Sequence, residues 1–215
     1  MTEDQAQDWL VKTLNVSRET LARLDAFRCL VIAEAAQQNL IAASTIDLIW
    51  SRHIVDSAQL LPMAARNTGE TWLDLGTGAG FPGIVVAILD PNPIHLVEDR
   101  KGRSAFLSRV VDELALTHCF VHGCKLQALQ IPPVDVISAR AFAPLAKIFT
   151  LAHSFSTQKT LWLLPKGKSA QAELESVAGT WHGLFHVKHS VTDDAAAIIT
   201  GSGVKRAGVK RGASR

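Results

Sequence analysis

The stretch Leu73-Asp74-Leu75-Gly76-Thr77-Gly78-Ala79-Gly80-Phe81-Pro82-Gly83 decides the fold. An apolar run ends at Leu75, glycines alternate at 76, 78 and 80, and Pro82 suits the first turn of a helix, where its missing N–H costs nothing. A strand that turns through glycines into a helix exposes backbone N–H groups that no Cβ shields from a ligand. Outward from this loop, short apolar runs recur at 71–75, 94–98, 118–122, 134–138 and 160–164, with amphipathic stretches at 82–89, 101–116, 144–155 and 169–179 between them. Such alternation predicts an α/β chain with a parallel sheet and helices on both faces. The segments at 181–191 and 195–200 read as a closing antiparallel pair.

Two readings of the glycines compete. Gly78 to Gly83 satisfies GxGxxG, the dinucleotide fingerprint of an NAD-dependent oxidoreductase, whereas Asp74 to Gly80 satisfies the (D/E)xGxGxG loop of S-adenosylmethionine enzymes. Strand placement favours the second, because apolar residues stop at Leu75 and Asp74 holds the acidic position. Glu98 ends the next strand, 22 residues beyond Gly76, where a carboxylate accepts hydrogen bonds from both ribose hydroxyls of a nucleoside. Asp99 beside it is an alternate, and a glycine turn without a ligand is the plain alternative.

The 215 residues, 47% hydrophobic, describe one compact domain of ordinary composition that needs neither disulfide nor metal to hold its core. Cys29, Cys119 and Cys124 show no zinc spacing, so no metal is expected and the reducing cytoplasm is the expected compartment. No basic n-region precedes an apolar core at the start, and no apolar run reaches the roughly 18 residues of a membrane span, so no membrane association is expected. Residues 1–70 read as a helical cap, with Ser17 and Thr45 as N-caps and the second helix running from Ile46 to Leu61. The methyltransferase-like body at 71–200 would form one unit with it, and a monomer is favoured. Residues 201–215 carry Lys205, Arg206, Lys210, Arg211 and Arg215 without an acid, which splits the net charge of +2 into a body of −3 and an end of +5. This end reads as a disordered basic tail that either solubilises the chain or attracts nucleic acid over a distance.

Several stretches together resemble the RsmG (formerly GidB) family of small-subunit ribosomal RNA methyltransferases. They are Asn39-Leu40-Ile41-Ala42, Arg52-His53-Ile54-Val55-Asp56-Ser57, the loop from Asp74 to Ile84, Arg103-Ser104-Ala105-Phe106-Leu107, Ser138-Ala139-Arg140-Ala141-Phe142-Ala143 and Lys166-Gly167. The resemblance implies a class I S-adenosylmethionine-dependent methyltransferase fold, Rossmann-like, with methylation of a guanine N7 in 16S rRNA and the 30S subunit as partner. It also implies that Gly76 and Phe81 hold the cofactor loop, that Glu98 takes the ribose, that Lys125 and Leu126 flank the adenine, and that Arg140 belongs to the cofactor site. This chain departs from the family at Cys124 and Gln127, where an arginine and an acid are usual.

Guanine N7 carries a lone pair and no proton, so the reaction needs no general base, and orientation is the expected mechanism. No acid or base is therefore nominated. Arg140, His53 and Lys166 are the candidate active-site residues, and Phe142 is a candidate either for stacking on an extruded base or for core packing. An acidic body must offer a local basic surface to RNA, expected near Arg140, Lys166 and Lys168. A third reading, raised by the departure at 124–127, is an RNA-binding or ribosome-assembly protein of the same fold without turnover.

Overall fold

The computed structural model describes residues 1–208. Seven strands form one sheet in the order β3-β2-β1-β4-β5-β7-β6. The first five are parallel: β1 (Trp72–Leu75), β2 (Ile94–Val97), β3 (Cys119–His122), β4 (Val134–Ala139) and β5 (Ser156–Lys166). β6 (Trp181–His189) and β7 (Ala197–Arg206) close it as the expected antiparallel pair.

Helices cover both faces because the central strands are buried on both sides. On one face lie α1 (Glu3–Leu14), α2 (Arg18–Ala35), α5 (Gly83–Leu89) and α6 (Lys101–Glu113), packed through Leu10, Leu24, Phe27, Val85, Phe106 and Trp72. On the other lie α7 (Leu145–Ala152) and α8 (Ala170–Val177), packed through Leu73, Ile137, Phe149, Trp162 and Val177. The cap and the sheet share the first of these clusters, which runs without a break from Ala6 to Ile198.

Ser17 caps α2, its Oγ accepting from the Thr20 N–H at 3.1 Å. Thr45 is not a cap. A 3₁₀ turn at Ala43–Leu48 starts before it, a π-type turn follows at Trp50–Val55, and the short α3 (Asp56–Ala58) and α4 (Leu61–Ala64) complete what had read as one helix. The interruption has a tertiary cause. The Glu3 carboxylate of α1 accepts from the N–H groups of Trp50 and Ser51, both at 2.9 Å, and no spacing in the sequence announces a bond across 47 residues.

A second correction concerns the carboxyl end. Gly201 to Arg206 are not tail but the second half of β7, paired with β6 at Gly201, Ser202, Lys205 and Arg206 around a register shift, and with Trp162 of β5 at Gly201. Val204 is buried, and Phe185 lies so close over Gly201 that a Cβ there would sit 2.8 Å from its ring. Two of the glycines that imitate a disordered composition are thus structural, Gly201 by this close packing and Gly203 by its left-handed backbone (φ +61°). Lys210, Arg211 and Arg215 lie outside the described residues.

Truncation after Thr200 is therefore expected to unfold the chain or lower its Tm by more than 10 °C, since it strips half of a strand from its pairing with β6 and removes the buried Val204. Circular dichroism melting checks this, and an unchanged Tm would return 201–206 to the status of a tail.

Candidate active site

At the centre of the sheet Asp74 is fully buried. Its carboxylate accepts from the Gly83 N–H of α5 at 3.1 Å and from Ser138 Oγ of β4 at 2.6 Å, and Ser138 Oγ in turn accepts from Trp72 Nε1 at 2.8 Å. Burial pushes the Asp74 carboxyl up to about 6, against hydrogen bonds from Ser138, Thr77 and Gly83 that favour the charged form. Asp74 thus ties strand, loop and helix together and does not face a ligand.

The loop it anchors opens onto a cleft of about 460 Å³, lined by Gly76, Glu98, Asp99, Arg103, Cys124, Lys125, Leu126, Gln127 and Phe142 among others. Glu98 is nearly buried and accepts from the Gly78 N–H at 3.0 Å and the Arg100 N–H at 2.9 Å. Those bonds leave lone pairs on both oxygens for further donors. Gly76 (φ +63°) has no room for a Cβ, which would collide with the Phe142 ring. Arg103 donates to the Asn39 carbonyl at 3.0 Å, which joins two of the motif stretches at the cleft rim. Gly80, by contrast, faces the protein interior: a Cβ there would lie 2.7 Å from Phe27 of α2. In a dinucleotide loop the corresponding glycine must admit the pyrophosphate.

A larger cavity of about 750 Å³ lies beside the cleft, lined by Arg52, His53, Asp56, Arg140, Phe142, Lys166, Glu173 and Asp193 among others. Ala141, Phe142 and Ala143 line both spaces. Arg140 is the hub of the wall. One of its nitrogens donates to Asp56 and to the Arg52 carbonyl, each at 3.2 Å, and the other lies 3.0 Å from His53 Nδ1. Burial, then the charges of Arg140 and Arg52, push the His53 imidazole down to about 3, so it is neutral. Because a guanidinium only donates, Nδ1 accepts from it and Nε2–H is assigned to Thr45 Oγ1 at 2.9 Å.

Phe81 is buried beneath this wall, with the His53 ring stacked on it at 4.9 Å and the Arg140 guanidinium 5.2 Å from its centre. It lines neither space. Lys166 does not offer a free charge. Its Nζ donates to Glu173 at 2.8 Å and to the Ala143 carbonyl at 2.9 Å. Burial alone would raise the Glu173 carboxyl, but hydrogen bonds from Lys166, the Leu145 N–H and Ser169 outweigh it and hold it below the usual range. Glu173 had no signal in the sequence, because the strand-to-helix turn that returns it to Lys166 is a tertiary matter. Of the three cations expected to offer a basic surface, Arg140 and Lys166 are each paired with an acid, whereas Lys168 is exposed. Among the described residues no group of three or more His, Cys, Asp or Glu is placed to hold a metal. Nor is any helix long and apolar enough to cross a membrane.

Two expectations follow. Asp74 has a folded pKa above its ordinary 3.8, so its contribution is full below about pH 4 and lost as pH rises through about 6. From pH 4.5 to 7.5 the stability of the wild type relative to Asp74→Asn should fall by about 2 kcal/mol in urea titrations. Arg140→Ala and Asp56→Ala should each cost about 2–3 kcal/mol, with a coupling above about 1 kcal/mol in a double-mutant cycle. Simple additivity would show that the pair does not hold the cap.

The sequence model of the family described as rRNA small subunit methyltransferase G (GidB) matches residues 20–195. The chain is 49% identical over 210 residues to the ribosomal RNA small subunit methyltransferase G of Rhizorhabdus wittichii, covering 97% of this chain and 96% of that one. To the protein of the same name from Zymomonas mobilis it is 47% identical over 206 residues, 93% of each chain. Among solved structures, an S-adenosylmethionine-dependent methyltransferase from Aquifex aeolicus superposes with a TM-score of 0.56 at 14% identity, over 69% of this chain and 89% of that one. A mutant of MtNAS in complex with S-adenosylmethionine gives 0.57 at 16% identity, over 94% and 84%. The chain thus shares its fold with an S-adenosylmethionine-dependent methyltransferase and with a second protein solved in complex with that molecule. With its motif stretches gathered around two adjoining cavities, the chain belongs to the rRNA small subunit methyltransferase G family.

Proposed function

We propose that this protein is an S-adenosylmethionine-dependent methyltransferase acting on the N7 of a guanine in 16S rRNA, in the cytoplasm, with the 30S subunit or its RNA as partner. The observation that carries this is the adjacency of two cavities that share one wall, Ala141 to Ala143. A transferase needs its donor and acceptor in separate places that meet at one point.

The smaller cleft fits the cofactor. Its volume lies in the range of small-molecule sites, about 300–1,000 Å³. Gly76 presents backbone without Cβ, Gly78 does not line the cleft but orients Glu98 through its N–H, Glu98 has lone pairs for the two ribose hydroxyls, and Lys125 with the buried Leu126 forms the side expected for the adenine. When bound, S-adenosylmethionine supplies a sulfonium methyl: the N7 lone pair forms the new N–C bond, the electrons of the broken S–C bond stay on sulfur, and no proton moves.

The residues of the chain then contribute position rather than proton transfer. His53 is neutral, tied to Arg140 and Thr45, and Lys166 is neutralised by Glu173, so none of the candidate side chains is free as a base. Arg140 and Phe81 act from beneath, holding the wall against the cap. Cys124 and Gln127 line the cleft, which leaves the adenine amino group without an acidic partner there and motivates the reading as a binding protein without turnover.

Calorimetry with S-adenosylmethionine, S-adenosylhomocysteine and NAD, joined to mapping of N7-methylguanine in 16S rRNA from cells with and without the gene, tests the proposal. The first two ligands are expected to bind, Glu98→Gln to weaken them about tenfold, and one guanine to lose its methyl in the deletion. Binding with an unchanged methyl map would favour the assembly protein, and binding of NAD alone would favour the oxidoreductase.

A further inference from the structure

The larger cavity is electrically closed. Three cations line it, and each meets a carboxylate that also lines it: Arg52 with Asp193 at 2.6 Å, Arg140 with Asp56 at 3.2 Å, and Lys166 with Glu173 at 2.8 Å. Such a space has no net charge with which to hold a phosphate. What it offers instead is a flat apolar surface, and Phe142 is the one phenyl or indole ring among the described residues that line it.

That ring is also fixed. Ala141 before it adopts a left-handed conformation (φ +51°), which turns the chain sharply at the end of β4. Arg140 holds the near side of the turn to the cap, and on the far side Lys166 holds the Ala143 carbonyl while Glu173 accepts from the Leu145 N–H at 2.8 Å. The Cδ2 edge of the ring lies against Gly76, the first glycine of the cofactor loop. Phe142 is therefore half-buried in the partition between the two cavities, touching both.

We propose that Phe142 is the stacking platform for the target guanine, and that it favours the methylated, positively charged form of the base over the neutral one. The inference rests on the methyltransferase reading above. During transfer the positive charge passes onto the purine ring. A cation over an aromatic face is attracted by the ring's electron density, whereas a neutral base gains only the stacking contact. An interaction that strengthens as the charge develops lowers the barrier and does more than bind substrate. No charged group in the cavity needs to move for this, which agrees with the paired state of all three cations.

The test compares Phe142→Leu, which keeps an apolar side chain in the partition, with Phe142→Tyr, which keeps the ring. Phe142→Leu is expected to lower kcat for methyl transfer to 30S subunits about tenfold at saturating S-adenosylmethionine, well beyond any fall in cofactor affinity caused by its place in the cleft wall, and Phe142→Tyr to restore most of the rate. A readout independent of turnover is the NMR-monitored affinity of the chain for 7-methylguanosine 5′-monophosphate against guanosine 5′-monophosphate. The wild type should prefer the methylated nucleotide and Phe142→Leu should lose the preference. Equal or undetectable binding of the two by the wild type, or full turnover in Phe142→Leu, overturns the platform. A loss of cofactor affinity in step with turnover would make Phe142 a wall of the cleft only. A wild-type chain that transfers no methyl overturns the methyltransferase reading, a result distinct from wild-type turnover that survives the leucine.

Discussion

A single buried carboxylate holds the site in shape. Asp74 sits on β1 beside β4, at the centre of the strand order, and its hydrogen bonds reach the first turn of α5 and the Ser138 hydroxyl, through which Trp72 is also satisfied. Every polar atom of this chain needs its partner, since an unpaired one in so dry a place costs on the order of 1–3 kcal/mol. The glycine loop can be open and exposed to a ligand because its two ends are closed in this way. Glu98 completes the arrangement by accepting from the Gly78 N–H across the loop.

From that fixed centre the site is assembled by pairing opposite charges rather than by displaying them. Arg140 joins the β4 end to the cap through Asp56, His53 and the Arg52 carbonyl, while Lys166 and Glu173 pin the same loop from β5 and α8. Positioning is what a reaction without proton transfer requires of its protein. The ring of Phe142 is held between these two clamps and against Gly76, and the partition between the two cavities is built from one short loop. Gln59 extends the same logic to the far edge of the sheet: it is buried, bonds Asp56 and Ser190, and accepts from the Val191 N–H at 2.9 Å, so the cap also holds the turn between β6 and β7.

Much of this was legible in the residues. β1, β2 and β4 fall within a residue of their apolar runs because burial on both faces leaves a continuous apolar signal, whereas β5 begins four residues before its run, at Ser156. Gly76, Glu98, Lys125 and Leu126, read from the loop and the motif resemblance, meet in one cleft. Phe81 does not join them, because a large apolar ring finds more burial between Phe27 and His53 than at a solvent-facing cleft. Composition misled at 201–206, where glycine and lysine imitate a tail while Gly201 and Val204 are buried and the segment pairs with β6.

The chain's sequence by itself determined the order of the strands and of the helices between them, the position of the glycine loop and the carboxylate that follows it, since these depend on periodicity and spacing over a few tens of residues, whereas α1 and the turns from Ala43 to Val55 in the cap were not read from local pattern. Tertiary structure decided which charges remain free. Arg140, His53 and Lys166 read as available chemistry, yet Asp56, Thr45 and Glu173 each claim one of them. The physical reason is that a local pattern sets backbone form, whereas the state of a charged or titratable side chain depends on burial and on partners that only the folded chain brings within hydrogen-bond reach.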